Sequence, residues 1–251
     1  MLVPLYETVY DRLEVGADTR LLGLDCGTGL ALVLAANRGA AVTGCDSDET
    51  RLAVARTRLL PDPAPGPDRG TRTRRSARTR LVSGDSHKTV PDGDFDVITA
   101  FDPAAPAAEL ESELASVART APHGSSVVLA GWGPPERCTT SRVLRVAARL
   151  AEPRGQAQRA VRLSGRDDLE DLARGAGLRP DGSGRVSCPF GYPDLASAVR
   201  GLLSTGLFDA AVAATDQQQV EKEIAEALHP YRRPDGTIRM DNVFRYLIAR
   251  V

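Results

Sequence analysis

The sequence predicts an α/β fold built around a mainly parallel sheet, and two features of its 251 residues indicate this. Hydrophobic periodicity alternates between the strand type and the helix type, as expected where helices cross over between parallel strands. A glycine-rich turn at residues 26–29 follows the first apolar run, and an acid, Asp46, ends the second. We therefore expect a doubly wound sheet.

Seven segments are predicted strands, with helices between most of them. The strands are residues 20–25, 41–45, 81–84, 95–101, 125–130, 185–188 and 237–248. The helices are residues 6–13, 30–37, 48–60, 106–120, 142–150 and 168–175, with a long helical stretch at about 195–228. In the third helix, Leu52, Val54, Ala55 and Leu59 are available for the inner face. The order predicts a Rossmann-like, seven-stranded sheet with a helical cap inserted before the last strand.

Composition excludes several classes of protein. A formal net charge of -1 gives no general attraction to nucleic acid or to anionic membranes. The four cysteines are scattered without metal-ligand spacing, so we expect no metal site. Because no stretch has the length and apolarity of a membrane span, we expect a cytoplasmic protein.

Residues 61–80, rich in proline, glycine and arginine, are predicted to be a flexible surface loop. The alternative, contact with nucleic acid, is disfavoured because no aromatic residues stand among the arginines.

The turn, the following helix and Asp46 form a unit suited to a nucleoside. Glycines allow a ligand to approach the backbone, and an acid at the end of the second strand can accept hydrogen bonds from ribose hydroxyls. The third glycine of a pyrophosphate-binding G-x-G-x-x-G motif is missing, since Leu32 stands in its place, and no Walker lysine follows. S-adenosylmethionine (SAM) carries no phosphate and fits such a turn. Asp85, after the third strand, suits the adenine amino group.

The run RLLGLDCGTGLALVLAANRGAAVTGCDSDETRLAVAR is similar to motif I and the following acidic loop of class I SAM-dependent methyltransferases. The segments VSGD, PDGDFDVITAF and SSVVLAGWGPPERC continue the likeness. The whole chain resembles the broad ubiquinone/menaquinone-methyltransferase-like group. This resemblance implies one domain over residues 1–251, with a SAM-binding half at 1–133 and a substrate-side half at 134–251 that includes the cap.

The resemblance also implies which residues hold the cofactor. Gly27 and Gly29 would contact its amino-acid end, and Asp46 with Ser47 its ribose. The remaining cofactor contacts would come from Asp25, Cys26, Asp85, Ser86 and Phe101. The chain departs from the family turn because Gly23 replaces the usual acid and Asp25 replaces the usual first glycine. Asp25 would either reach the ammonium group of SAM or crowd its carboxylate.

Candidates on the substrate side are aromatic. Trp132 follows the fifth predicted strand, and Phe190 and Tyr192 could line a pocket beneath the cap, although packing is an equally good reason for such residues. His87 is a weak candidate for a general base, because a histidine alone in a polar loop is more often a solvated residue.

The leading hypothesis is methyl transfer to oxygen, nitrogen or activated carbon of a small molecule, such as one of secondary metabolism. One alternative is a methyltransferase-fold enzyme that catalyses a cyclisation or an elimination. A second is a non-catalytic partner subunit. The chain could also form a homodimer.

Overall fold

The computed structural model describes residues 2–60, 78–84, 93–101, 107–151 and 165–251. They divide into two compact units. The first, the sheet unit, lies within Val3–Gly131, Asp167–Gly184 and Arg245–Val251. The second, the helical unit, lies within Trp132–Arg166 and Arg185–Phe244, together with the extreme N-terminus.

The described strands form two sheets. Their bounds are β1 Arg20–Leu24, β2 Ala41–Asp46, β3 Thr79–Ser83, β4 Val97–Phe101, β5 Ser126–Trp132, β6 Arg179–Ser187, β7 Phe190–Tyr192, β8 Ile238–Met240 and β9 Val243–Arg250. Seven of them make one sheet in the order β3-β2-β1-β4-β5-β9-β6, while β7 and β8 pair antiparallel in a second. The pairs β1–β2, β1–β4, β2–β3 and β4–β5 are all parallel. The predicted seven-stranded, mainly parallel sheet is thus confirmed.

Helices connect these strands. Their bounds are α1 Val3–Arg12, α2 Leu30–Asn37, α3 Glu49–Leu59, α4 Ala107–Thr120, α5 Thr139–Leu150, α6 Asp168–Gly175, α7 Leu195–Leu203, α8 Asp209–Ala214 and α9 Gln217–Leu228. Among the described residues, no helix is long and apolar enough to cross a membrane.

The packing of α2 against the sheet depends on two glycines. Gly23 in β1 and Gly44 in β2 are register partners. A Cβ atom at Gly23 would lie 2.9 Å from Cδ2 of Leu32, and one at Gly44 would lie 2.4 Å from its Cδ1. The side chain of Leu32 therefore fills a depression that only glycine leaves open. In the G-x-G-x-x-G motif, the third glycine allows the helix to pack closely against the sheet. In this chain, Gly23 and Gly44 in the strands allow the same close packing.

Helix α3 differs in one respect from the expectation. Leu52, Ala55 and Leu59 are buried as predicted, but Val54 is 39% exposed. Ala55 and Leu59 follow Leu52 by three and seven positions, so they lie on the same helix face. Val54 follows Leu52 by two positions and lies on another face. The assignment of Val54 to the inner face was therefore wrong.

Two predicted late strands also differ from the structure. The strand predicted at 185–188 is longer, since β6 covers Arg179–Ser187. The strand predicted at 237–248 is divided into β8 and β9, and the buried Asn242 lies between them. The amide oxygen of Asn242 accepts a hydrogen bond from the backbone N–H of Thr140, which fixes the break.

The helical unit has its own core. The predicted helical stretch at 195–228 consists of three helices, α7, α8 and α9, and α5 packs against the last two. Asp194 and Asp216 cap α7 and α9 through side-chain hydrogen bonds to backbone N–H groups. The fully buried side chains of Phe208, Ile224 and Leu228 lie inside this unit.

Candidate functional site

The candidate site lies where the strand order reverses direction. The first strand, β1, has β2 on one side and β4 on the other, and later strands continue beyond β4. At such a switch point the loops that leave the carboxyl ends of neighbouring strands diverge, and a crevice opens between them. The turn Asp25–Gly29 leaves the end of β1, and Asp46 is the last residue of β2.

The turn is built from residues with left-handed backbone angles. The φ angles of Gly27 and Gly29 are 56° and 75°, and Asp25 adopts a φ of 46° without being glycine. A Cβ atom at Gly29 would lie 2.9 Å from Cβ of Ala55 in α3, so the turn packs tightly against that helix. At Gly27, by contrast, no described atom lies within 4 Å of an added Cβ. Among the described residues, the turn therefore has one face against the protein and open space beside Gly27.

Asp46 ties the turn to the second strand. Its side chain is 0% exposed. Oδ2 accepts a hydrogen bond of 2.7 Å from the N–H of Gly27, and Oδ1 accepts one of 2.8 Å from the N–H of Asp48. The N–H of Cys26 also donates to the carbonyl of Cys45, at 2.9 Å. A carboxylate that accepts backbone N–H groups is held in one orientation, so the position of the turn is set by Asp46.

Two arginines of α3 complete this arrangement, and the sequence prediction missed both. Nη2 of Arg51 lies 3.0 Å from Oδ1 of Asp46. Nη1 of Arg58 donates to the hydroxyl and carbonyl oxygens of Thr28, at 2.7 and 3.0 Å. Arg51, Ala55 and Arg58 follow each other at spacings of four and three residues, so they share one helix face. That spacing is the sequence signal that could have identified the two arginines.

Cys26 lies inside the turn with a half-buried thiol. Burial raises its pKa to about 12, and the neighbouring carboxylate of Asp46 adds to this effect. Because the thiolate is the reactive form of cysteine, Cys26 is a poor nucleophile at neutral pH.

Aromatic residues gather at the end of β4. Phe101 is half-buried, and its ring centroid lies 4.9 Å from that of Tyr6 and 6.0 Å from that of Tyr10. The Tyr10 hydroxyl donates to the carbonyl of Ala31 at 3.0 Å, and burial raises the pKa of this hydroxyl. Helix α1 is thereby attached to α2, and its two tyrosines stand beside the predicted cofactor residue Phe101.

A second aromatic cluster lies in the helical unit. The ring of Trp132 lies 5.8 Å from that of Phe190 and 4.6 Å from that of Phe244. Phe190 is only 9% exposed, and Trp132 is half-buried. Tyr192 is half-buried against Gly201 of α7. Packing accounts for these contacts, and a role in substrate binding stays a prediction.

The structure brings together five predicted cofactor residues, which are Asp25, Cys26, Gly27, Gly29 and Asp46. Ser47 follows Asp46 and is exposed. Asp85, Ser86 and His87 lie outside the described residues, as does most of the predicted loop at 61–80. Within the described part of the chain, no three His, Cys, Asp or Glu side chains are grouped as a metal site.

Comparison with known families gives one match. A family model described as a methyltransferase domain matches residues 22–129. No curated protein has a sequence significantly similar to this chain. The match confirms the predicted resemblance to class I SAM-dependent methyltransferases and supports SAM as the cofactor. The narrower likeness to ubiquinone and menaquinone methyltransferases stays a prediction.

Solved structures share the fold at low sequence identity. A Bacillus halodurans protein described as a candidate methyltransferase has 13% identity and a TM-score of 0.60, with 98% of this chain and 97% of that one covered. The cyclase SpnF has 18% identity and a TM-score of 0.59, covering 98% and 79%. Geranyl diphosphate C-methyltransferase from Streptomyces coelicolor has 14% identity and a TM-score of 0.54, covering 98% and 78%. At these identities the likeness is one of fold.

Proposed function

We propose that the protein transfers the methyl group of SAM to a small molecule, on the premise that residues 22–129 match the model of a methyltransferase domain. One observation carries the proposal. The hydrogen bond of 2.7 Å from the Gly27 N–H to the Asp46 carboxylate joins the turn after β1 to the acid that ends β2. A ligand seated at this junction would meet backbone N–H groups on one side and a carboxylate on the other, which suits a nucleoside joined to an amino acid.

The residues present fit such a cofactor. The open space beside Gly27 leaves room for a ligand against the backbone. The first turn of α2 follows Gly29 and has no side-chain cap among the described residues. Its N–H groups would bind the carboxylate of the methionine part, because the start of a helix carries a partial positive charge. Asp46 would receive the ribose, and Phe101 with Tyr6 would supply apolar surface.

Bound SAM would supply a methyl group on a positively charged sulfur, which an incoming nucleophile can take directly. The contribution of the protein is then chiefly to hold the two reactants in line and to exclude water. We propose Trp132, Phe190 and Tyr192 as substrate residues, with residues 195–228 as the cap on the substrate-side half of a single domain. His87 stays a weak candidate for a base, and alignment alone can suffice for this reaction.

The acceptor is proposed as a small molecule with an oxygen, nitrogen or activated carbon nucleophile. One protein of the same fold is a geranyl diphosphate C-methyltransferase by name, so the fold accommodates small substrates. We propose further that the protein is cytoplasmic, does not act on nucleic acid or at a membrane, and can form a homodimer.

A second candidate is a reaction without methyl transfer, such as a cyclisation. Two observations favour this candidate. Asp25 occupies a left-handed position, with a φ of 46°, where the resemblance places a glycine in the family turn. A protein of the same fold is named as a cyclase.

Calorimetry followed by a turnover assay tests the proposal. The purified protein is titrated with SAM and with S-adenosylhomocysteine, and release of S-adenosylhomocysteine is then measured with panels of phenols, amines and enolisable ketones. Binding of both ligands, with turnover on at least one panel, is the expected result. Binding without turnover favours the second candidate or a non-catalytic subunit. Absence of binding in protein that unfolds cooperatively contradicts the proposal.

A further inference from the structure

The carboxylate of Asp46 is largely occupied by other described residues. Among these, its partners are the N–H groups of Gly27 and Asp48, at 2.7 and 2.8 Å, and the guanidinium of Arg51, at 3.0 Å. A carboxylate has about four acceptor sites, so these partners leave fewer than two open. The two N–H groups belong to the backbone and are fixed by the fold. Among the described residues, Arg51 is the one partner that a side-chain rotation can remove. A ribose diol that binds Asp46 through two hydrogen bonds must therefore compete with Arg51.

The position of Arg51 is electrostatically unfavourable without that carboxylate. Arg51 is in the first turn of α3, where the partial positive charge of the helix repels a cation. Two aspartates offset this repulsion: Asp46, and Asp48, whose Oδ2 lies 3.2 Å from Nε of Arg51. Asp48 also caps the helix by accepting from the N–H groups of Thr50 and Arg51. The guanidinium is thus held across two carboxylates at the edge of the candidate site.

The closed arrangement is nevertheless imperfect. Nε of Arg51 is buried and has no hydrogen-bond partner among the described residues, although it lies near Asp48. The Arg51 side chain is 35% exposed, so it has a path to solvent, whereas the Asp46 side chain has none. A buried donor without a partner costs free energy, which lowers the barrier to release.

From these contacts we propose that Arg51 competes with the nucleoside for Asp46 and so sets the affinity of the cofactor site. In the unliganded protein Arg51 neutralises the buried carboxylate. When the ligand binds, Arg51 turns toward solvent and the ribose hydroxyls take its place on Oδ1. This inference rests on the proposed function, and Arg51 acts as a positioning residue, because it touches Asp46 and takes no part in the reaction.

The test compares the dissociation constants of S-adenosylhomocysteine for four proteins by calorimetry. Arg51→Met removes the guanidinium but keeps an unbranched stem that favours helix. Arg51→Lys keeps the charge but cannot bridge two carboxylates. Arg56→Ala is the control, because Arg56 is on the same helix and pairs with Glu49, away from Asp46. Arg51→Met should bind about twofold to fivefold more tightly than the natural protein. Arg51→Lys should fall between them, and the control should be unchanged.

Ionic strength gives an independent readout. Salt screens a partly exposed ion pair, so added NaCl should tighten binding to the natural protein and have little effect on Arg51→Met. A purely structural role for Arg51 would not produce this difference. If Arg51→Met does not fold, Arg51→Lys and the salt series decide.

Equal or weaker binding by Arg51→Met, with S-adenosylhomocysteine still bound by the natural protein, overturns the inference and leaves the proposed function intact. If S-adenosylhomocysteine binds to Arg51→Met and to none of the other three proteins, the inference is supported strongly. No binding to any folded variant overturns both.

Discussion

The N–H of Gly27 donates a hydrogen bond to Oδ2 of Asp46 across 2.7 Å, although 19 residues separate them in the chain. Two signals that the sequence displays separately, a glycine turn and a strand-terminal acid, are therefore one structural unit. Because the Asp46 side chain is completely buried, the bond is shielded from competition by water.

Replacing Asp46 by Asn should weaken cofactor binding more than it weakens the fold. The amide keeps the shape of the side chain but loses the charge that two N–H groups and Arg51 face. Hydrogen bonds to a charged acceptor contribute about 1.5–3 kcal/mol each, so S-adenosylhomocysteine should bind roughly 100-fold more weakly by calorimetry. The exposed Asp18, changed to Asn, is the control. An unchanged dissociation constant would remove Asp46 from the site.

The two glycines of the turn should respond differently to alanine. Both have positive φ angles, so each substitution costs about 1 kcal/mol of backbone strain. At Gly29 the new methyl group also meets Cβ of Ala55 at 2.9 Å, whereas at Gly27 it meets no described atom within 4 Å. Urea denaturation should show a loss of about 2–4 kcal/mol for Gly29→Ala. Equal losses at both positions would contradict the packing described for α3.

Leu32 and Gly44 should be energetically coupled. Gly44→Ala places a methyl group 2.4 Å from Cδ1 of Leu32 and should destabilise the protein by about 2–3 kcal/mol. In the double variant with Leu32→Ala the contact with Leu32 is removed, while those with Sγ of Cys26 and Cδ2 of Leu81, both at 2.9 Å, remain. The loss should therefore be smaller than the sum of the single losses by about 1–2 kcal/mol, but not absent. Chemical denaturation of the four proteins measures this difference, and strict additivity would refute the contact.

Asp25→Gly should stabilise the protein. A residue other than glycine in the left-handed region costs about 1 kcal/mol, and glycine relieves that cost at a φ of 46°. Asp25→Ala is the matched control, because it removes the carboxylate and keeps the strain. We expect a higher midpoint of thermal unfolding for the glycine variant than for the alanine variant. The reverse order would contradict the strain, because neither variant has the carboxylate. A glycine variant less stable than the natural protein would show that the carboxylate contributes more than the strain costs.

The thiol of Cys26 should react slowly with iodoacetamide. Its pKa is raised from 9.0 to about 12, so at pH 8 the thiolate fraction is about a thousandfold below that of a free cysteine. Because the raised pKa favours the neutral thiol, the rate should climb about tenfold per pH unit well beyond pH 9. Peptide mass spectrometry follows the rate, with the unfolded protein as reference. A plateau near pH 9 would contradict the burial of this thiol.

Much of the fold could be predicted because local patterns and overall topology agree. The helix at 30–37 and the strand at 97–101 are apolar runs, and flanking residues mark their ends: Gly29 and Gly39 for the helix and Asp96 for the strand. Strand β6 was predicted too short, because Pro180, Gly182 and Gly184 are unfavourable within a strand. Strand β6 nevertheless forms, because it lies at the edge of the sheet, where a strand tolerates proline and glycine. Edge position depends on tertiary structure, which the local sequence does not show.

The candidate site was predicted only in part, because some of its contacts also depend on tertiary structure. Motif spacing indicates Gly27, Gly29 and Asp46, because their backbone roles are tied to residue type. Arg51 has no such signature. Its contact with Asp46 depends on where the first turn of α3 directs a long side chain, and several rotamers of that side chain are compatible with the same sequence. The depression that Leu32 fills likewise requires the register of β1 and β2.

A crystal structure of the protein grown with S-adenosylhomocysteine tests most directly whether the turn and Asp46 form a nucleoside site. We expect the ribose hydroxyls within hydrogen-bond distance of the Asp46 carboxylate, the amino-acid end against Gly27 and the start of α2, and the guanidinium of Arg51 moved away from Oδ1. A nucleoside bound elsewhere, with Asp46 still holding its present partners, would contradict the account.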